Sequence, residues 1–143
     1  MFIDASAIVA ILGREPGHEE LEKVLAVAAN GRLYVSPLVK FEASLALARQ
    51  KAFAGGRQAR PSPAQLRQAA EAVDAFVEDL DIQEIAISPE IGRAALEAGA
   101  LYGKVVGHAA DLNFGDCFAY ACAKTMDVKL LYKGADFSET DMA

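Results

Sequence analysis

Four acids stand out by what precedes and follows them: Asp4, Glu42, Asp116 and Asp136. Asp4 ends the apolar run Met1–Ile3, and Glu42 lies in a helix-forming stretch just after RLYVS. Asp116 closes a turn made by Asn113 and Gly115, and Asp136 comes just after VKLLY. Each has an ordinary explanation alone. An Asp before an apolar helix is commonly a cap, accepting backbone N–H groups that have no partner in the helix, which would cover Asp4 and Asp116. Glu42 would pass for a solvated helix residue, and Asp136 for part of a polar tail with Ser138, Glu139 and Asp141. Two neighbours argue for more. Gly115 lets a backbone or a ligand approach the adjacent carboxylate closely, and the mostly apolar flanks of Glu42 make an unpartnered charge there costly.

If the four acids meet, the chemistry follows. Crowded carboxylates repel until one protonates. A divalent cation removes that difficulty, and an all-oxygen donor set suits Mg²⁺ or Mn²⁺. A hard cation held this way lowers the pKa of a water and binds phosphoryl oxygens. Metal-dependent phosphodiester hydrolysis, with one metal or two, is the reaction that uses these residues. Ser6 is a supporting candidate, either lending its hydroxyl to the metal's water or capping the first helix. Asp111 is a further acid nearby, placed at the periphery.

Other chemistries lack their residues. His18 and His108 have no base-and-orienter context, and neither a Walker loop nor GxGxxG occurs. Cys117 and Cys122 are five apart on one helix, hence on different faces, which fits two buried thiols rather than a metal or redox pair. A phosphoacceptor signalling domain would also use strand-end acids and a lysine, here Lys133, but the third strand ends in Ser88 rather than an acceptor Asp.

The elements must then bring the acids together. Apolar periodicity and turn residues predict strands at Met1–Ile3, Arg32–Ser36, Gln83–Ser88 and Val128–Tyr132. Helices are expected over Ala5–Leu12, His18–Ala29, Leu38–Ala54, Ala64–Leu80, Pro89–Leu101 and Asp116–Met126. Asn30 and Gly31 stop the second of these, and Phe41, Leu45, Ala48 and Ala52 form one side of the third. Short apolar strands alternating with helices indicate an α/β fold, a twisted parallel sheet of about four strands covered on both faces. In such sheets ligands bind beyond the carboxyl ends of the strands, the edge to which all four acids are assigned.

The chain has 143 residues, 53% of them hydrophobic, with a mean hydropathy of +0.18, which fits one domain spanning 1–143 with a real core. The apolar N-terminus carries Asp4, has no basic leader and is too short to span a bilayer, so a soluble cytoplasmic protein with no membrane role is expected. A net charge of −6 argues against a generic nucleic-acid coat. Yet between Glu42 and Glu71 there is no acid, while Arg49, Lys51, Arg57, Arg60 and Arg67 all lie there. This island is either solvated or grips phosphates or an acidic partner segment, with Arg57 and Arg60 the contacts expected.

The opening FIDASAIVAIL, the FEA of the third helix, the block LNFGDCFAYACAK and the tail LLYKGADFSETD resemble the PIN-domain ribonucleases, and more closely the VapC toxins of bacterial toxin–antitoxin pairs. The resemblance covers essentially the whole chain and implies a PIN-like fold. It implies a metal-dependent endoribonuclease toxin that cuts structured RNA with Mg²⁺ or Mn²⁺. Asp4 and Asp116 correspond to the usual Mg²⁺-binding pair and Glu42 to the family's Glu. Many relatives carry a fourth acid immediately after the last strand, where this chain has Lys133 and Gly134; Asp136 is the nearest substitute and Asp141 the more distant one. The resemblance further implies a homodimer within a larger complex, a VapB-type antitoxin lying across the active site, and DNA contact only through that antitoxin.

Overall fold

A computed structural model describes residues 1–28, 31–56 and 60–142. The predicted end of the second helix at Ala29 and Asn30, and Arg57, lie outside the described residues. The chain runs β1 (Phe2–Ile3), α1 (Ala5–Leu12), α2 (His18–Ala28), β2 (Tyr34–Val35), α3 (Pro37–Ala54), α4 (Pro63–Asp79), β3 (Gln83–Glu84), α5 (Pro89–Tyr102), α6 (Phe114–Thr125) and β4 (Leu130–Leu131). A single 3₁₀ turn, Lys104–Val106, lies in the stretch expected to be irregular.

The strands form one sheet in the order β3-β2-β1-β4, all pairs parallel. Phe2 stands opposite Tyr34 on one side and Leu130 on the other. The chain therefore leaves β1 toward β2 and returns last on β1's other side. The switch in strand order falls between β1 and β4, and that is where the carboxyl edge of a parallel sheet opens into a crevice. The ladders are shorter than the predicted strands: of QEIAIS, only Gln83 and Glu84 pair as strand, at the sheet's edge.

The core explains the helices. In α1, Ala7 through Ile11 are all buried, so this short helix is apolar nearly all round, as a helix enclosed by neighbours must be. Phe2, Ile3, Val35 and Leu131 of the sheet are buried with Ala119, Ala121, Cys122 and Ala123 of α6. Three helices share one start. Ser36, Ser62 and Ser88 each accept a backbone N–H three residues on, and a proline takes the next position. Serine satisfies an orphan donor while proline, lacking its own, costs nothing there. Two sequence expectations need correction. The pivotal helix starts at Phe114 rather than Asp116, because Asn113 takes the capping position. On α3, Ala48 and Ala52 of the expected side are buried, with Val39, Ala43 and Ser44, but Phe41 is 61% exposed.

The tail packs back on the core. Phe137 is buried against the core and its ring lies 4.9 Å from that of Tyr132. On α3, the Lys40 ammonium lies 2.7 Å from Asp74 of α4 and 2.8 Å from Glu84 of β3. These ties fix the segments that carry Asp136 and Glu42.

Candidate active site

Asp4 is positioned by both of its neighbours in sequence. Its backbone N–H still donates to Leu131 O of β4 at 2.9 Å, while its extended ψ of 157° makes it the cap of α1. Asp4 Oδ2 accepts the Ser6 backbone N–H at 2.9 Å and the Ser6 hydroxyl at 2.5 Å. That hydroxyl in turn accepts the Lys133 backbone N–H at 3.0 Å. Ser6 thus joins the end of β1 to the segment after β4. The capping explanation of Asp4 is correct and does not exhaust it, since the buried carboxylate also lines a cavity shared with the other acids.

Asp116 sits in the first turn of α6. Asn113 Oδ1 accepts the N–H groups of Gly115 (2.8 Å) and Asp116 (3.1 Å), and Asp116 Oδ2 accepts the Asn113 N–H at 2.8 Å. This reciprocal box fixes the carboxylate's direction through one oxygen. Glu42, on α3, comes against the same turn. A Cβ built on Gly115 would overlap the Glu42 carboxylate. A side chain at 115 would therefore make the Glu42 carboxylate shift, where the first turn of α6 meets an acid from α3.

A cavity of about 480 Å³ collects these groups. Asp4, Ser6, Glu42, Asn113, Asp116 and Asp136 line it, together with Glu15, Arg49 and Lys133. All four predicted acids line it, from the end of β1, the second turn of α3, the first turn of α6 and the segment that follows β4. A cleft of similar size, about 530 Å³, lies between α1, α2 and α4, but its wall is mostly apolar.

The electrostatics show how uncomfortable the gathering is. Burial pushes Asp4 above the usual carboxylate range, against the pull of the Ser6 hydrogen bonds. Burial, with the charges of Asp4 and Asp116, lifts Glu42 to about 7. Burial lifts Asp116 to about 6 against its bond from Asn113, with Asp4 and Asp136 adding repulsion. Among the described residues, no lysine, arginine or histidine lies within ion-pair distance of any of the four. Nor, among those residues, are three acid, histidine or cysteine side chains already closed on one point. The carboxylates face a shared space rather than one another.

Other candidates are placed elsewhere. Asp141 is occupied: the Tyr120 hydroxyl and the Lys124 ammonium each donate to it at 2.6 Å, and the pairing lowers its pKa. Asp111 is exposed and 3.4 Å from Lys104. His18 lies beside Glu19 and Glu22, and His108 accepts the Ala110 N–H; neither lines the cavity. Both cysteines are free and buried. Arg60 is exposed and does not line the cavity. Sequence reasoning missed Asn113 as a site residue and Arg49 as a wall of the cavity. The N-x-x-D pattern of a capping box signals the first. The seven-residue step from Glu42 to Arg49, two helical turns on one face, signals the second.

The PIN domain family model matches residues 1–142. The chain belongs to the PIN-domain family. Within it the relatives are VapC proteins. A VapC ribonuclease of Rhizobium meliloti is 52% identical over 99% of this chain and 98% of its own length. Ribonuclease VapC42 of Mycobacterium tuberculosis is 34% identical over 99% of this chain and 96% of its own. Among solved structures, M. tuberculosis VapC20, described as a sarcin-ricin loop cleaving toxin, superposes with a TM-score of 0.69 at 17% identity, covering 99% of this chain and 95% of that one. This likeness places the same fold under a distant sequence. The PIN fold here is the four-stranded parallel sheet with its helices, and no helix among the described residues is long and apolar enough to cross a membrane.

Proposed function

We propose that this PIN domain is the toxin of a toxin–antitoxin pair, a divalent-metal-dependent endoribonuclease that works in the cytoplasm. One observation carries the proposal: four acids from four separate elements line a single cavity at the sheet's switch point. Names of relatives at up to 52% identity support ribonuclease activity.

The donor set fits a hard cation. It is all carboxylate and hydroxyl oxygen, partly buried, crowded enough to raise its own pKa values, and among the described residues no protein cation pairs with it. Asp4 and Asp116 would hold Mg²⁺ or Mn²⁺, with Glu42 and Asp136 completing the set. A cation bound there would supply charge neutralisation for the phosphodiester and lower the pKa of a water. The chain's own part is positional. Ser6 holds Asp4 and the Lys133 backbone together, Asn113 aims Asp116, and Gly115 makes room for Glu42. A VapB-type antitoxin that covers this cavity is the expected inhibitor, and a homodimer the expected assembly.

The test is cleavage of total cellular RNA by purified wild type and Asp116→Asn with Mg²⁺, Mn²⁺ or EDTA, with the new ends mapped. Discrete metal-dependent cuts by wild type alone are expected. A folded Asp116→Asn protein cutting at the wild-type rate, or wild-type cuts that persist in EDTA, would overturn the reading.

A further inference from the structure

Two cations line the acidic cavity, and they are not equivalent. The Lys133 ammonium is used within the fold, donating to Pro16 O at 2.7 Å. Arg49 is exposed and forms no ion pair within the described residues. Glu15, another acid in the lining, accepts a hydrogen bond from Gln50, whose Nε2 donates to Glu15 Oε1 at 2.6 Å. Among the described residues, Arg49 is therefore a guanidinium left without a partner on the rim of a site built from four carboxylates.

Its place on the helix gives it a direction. Glu42, Leu45, Ala46 and Arg49 of α3 all line the cavity. They fall at i, i+3, i+4 and i+7, one face of a helix. Seven residues along α3 rise about 10 Å. One face of α3 thus presents an acid at the inner end, two apolar side chains between, and a planar cation at the outer end. A chain carrying one negative group per repeat, with one group held at the acids through a cation, would meet Arg49 at another. Guanidinium presents paired N–H donors that match phosphate oxygens. A nucleic-acid strand carries a phosphate at every nucleotide, so a phosphate held at the acids through a cation brings further phosphates along α3, whereas the carboxylates of a peptide have no such fixed repeat.

We propose that Arg49 is a substrate-positioning residue that holds a backbone phosphate flanking the scissile one, so that α3 sets the path of the RNA strand across the site. The inference rests on the ribonuclease reading above, and its test is separable from that reading.

The probe is a short fluorescein-labelled single-stranded RNA of mixed sequence, titrated by anisotropy across a range of KCl, with Ca²⁺ in place of Mg²⁺ to slow turnover while keeping Asp116 in place. Arg49→Ala should weaken binding about tenfold and reduce the salt slope by about 0.7, the value of one phosphate contact on a single strand. Arg49→Lys should keep the slope and recover part of the affinity. In the cleaving enzyme, Arg49→Ala should raise KM while leaving kcat within a few-fold. Equal affinity and slope with and without Arg49 would overturn the assignment. So would loss of a glutamate-rich peptide's binding in Arg49→Ala with RNA binding unchanged, which would give the residue to a protein partner. Absence of RNA cleavage by wild type would sink the nuclease reading while leaving the binding comparison interpretable.

Discussion

The Glu42 carboxylate occupies the space that a side chain at position 115 would need. Gly115→Ala should therefore leave the helix intact, since alanine is the better helix former, while pushing Glu42 away from Asp4 and Asp116. Displacement of a reacting or ligating group by about 1 Å can cost on the order of 10²-fold in rate. A comparable fall in RNA cleavage, with a melting temperature within a few degrees of wild type, is the expected result. Wild-type activity would mean that the position of Glu42 is not critical.

Ser6 makes a different kind of contribution, because its hydroxyl both donates to Asp4 and accepts from the Lys133 backbone. Ser6→Ala leaves the Lys133 N–H without its acceptor and should destabilise the fold by about 1–3 kcal/mol. It also removes a hydrogen bond that lowers the Asp4 pKa. The acid limb of the pH–rate profile should then move to higher pH. A profile that keeps its shape while only stability falls would make Ser6 purely structural.

How much of this was visible in the sequence differs by element. The order of strands and helices was legible because Ser-Pro starts, glycine stops and 3.6-residue periodicity are local signals. The strand ends were not, since backbone pairing between strands depends on which neighbour lies alongside: β3, at the sheet's edge, keeps two paired residues of the six expected. Phe41 shows the same limit from the other side. Its spacing suits an apolar stripe, and Ala48 and Ala52 of that stripe are buried, yet Phe41 itself is 61% exposed, at the rim of a cleft it shares with Leu66 and Ala70 of α4. The four acids were found because each adjoins a strand end or a helix start. Arg49 was seen only as part of a charge run, because its relation to Glu42 needs the helix and the cavity together.

Asp136 and Asp141 separate cleanly in space, which sequence spacing could not do. Asp136 lines the cavity and adds to the repulsion felt by Asp4 and Asp116. Asp141 holds the tail to Tyr120 and Lys124 of α6. Asp136→Asn should weaken Mg²⁺ binding, read by calorimetry, and slow cleavage while preserving the fold. Asp141→Asn should lower the melting temperature by a few degrees and leave cleavage near wild type. The opposite pattern would make Asp141 the fourth acid.

The raised pKa values give the metal-free protein a particular pH dependence. Burial holds Asp4 above its ordinary value, Glu42 near 7 and Asp116 near 6. Each carboxyl therefore binds its proton more tightly in the folded than in the unfolded chain. Where the native state holds more protons, stability falls as pH rises. In EDTA the protein should be most stable below the ordinary carboxylate range of about 4, as far as these groups are concerned, and should lose that contribution as pH climbs through 6 and 7. A divalent cation reverses the sign by stabilising the charged forms, and it must displace protons to bind. Added Mg²⁺ should accordingly raise the melting temperature more at pH 8 than at pH 5.5, and calorimetry in buffers of different ionisation enthalpy should register proton release at the lower pH. A Mg²⁺ effect of the same size at both pH values, with no proton release, would mean that the cation binds away from Glu42 and Asp116.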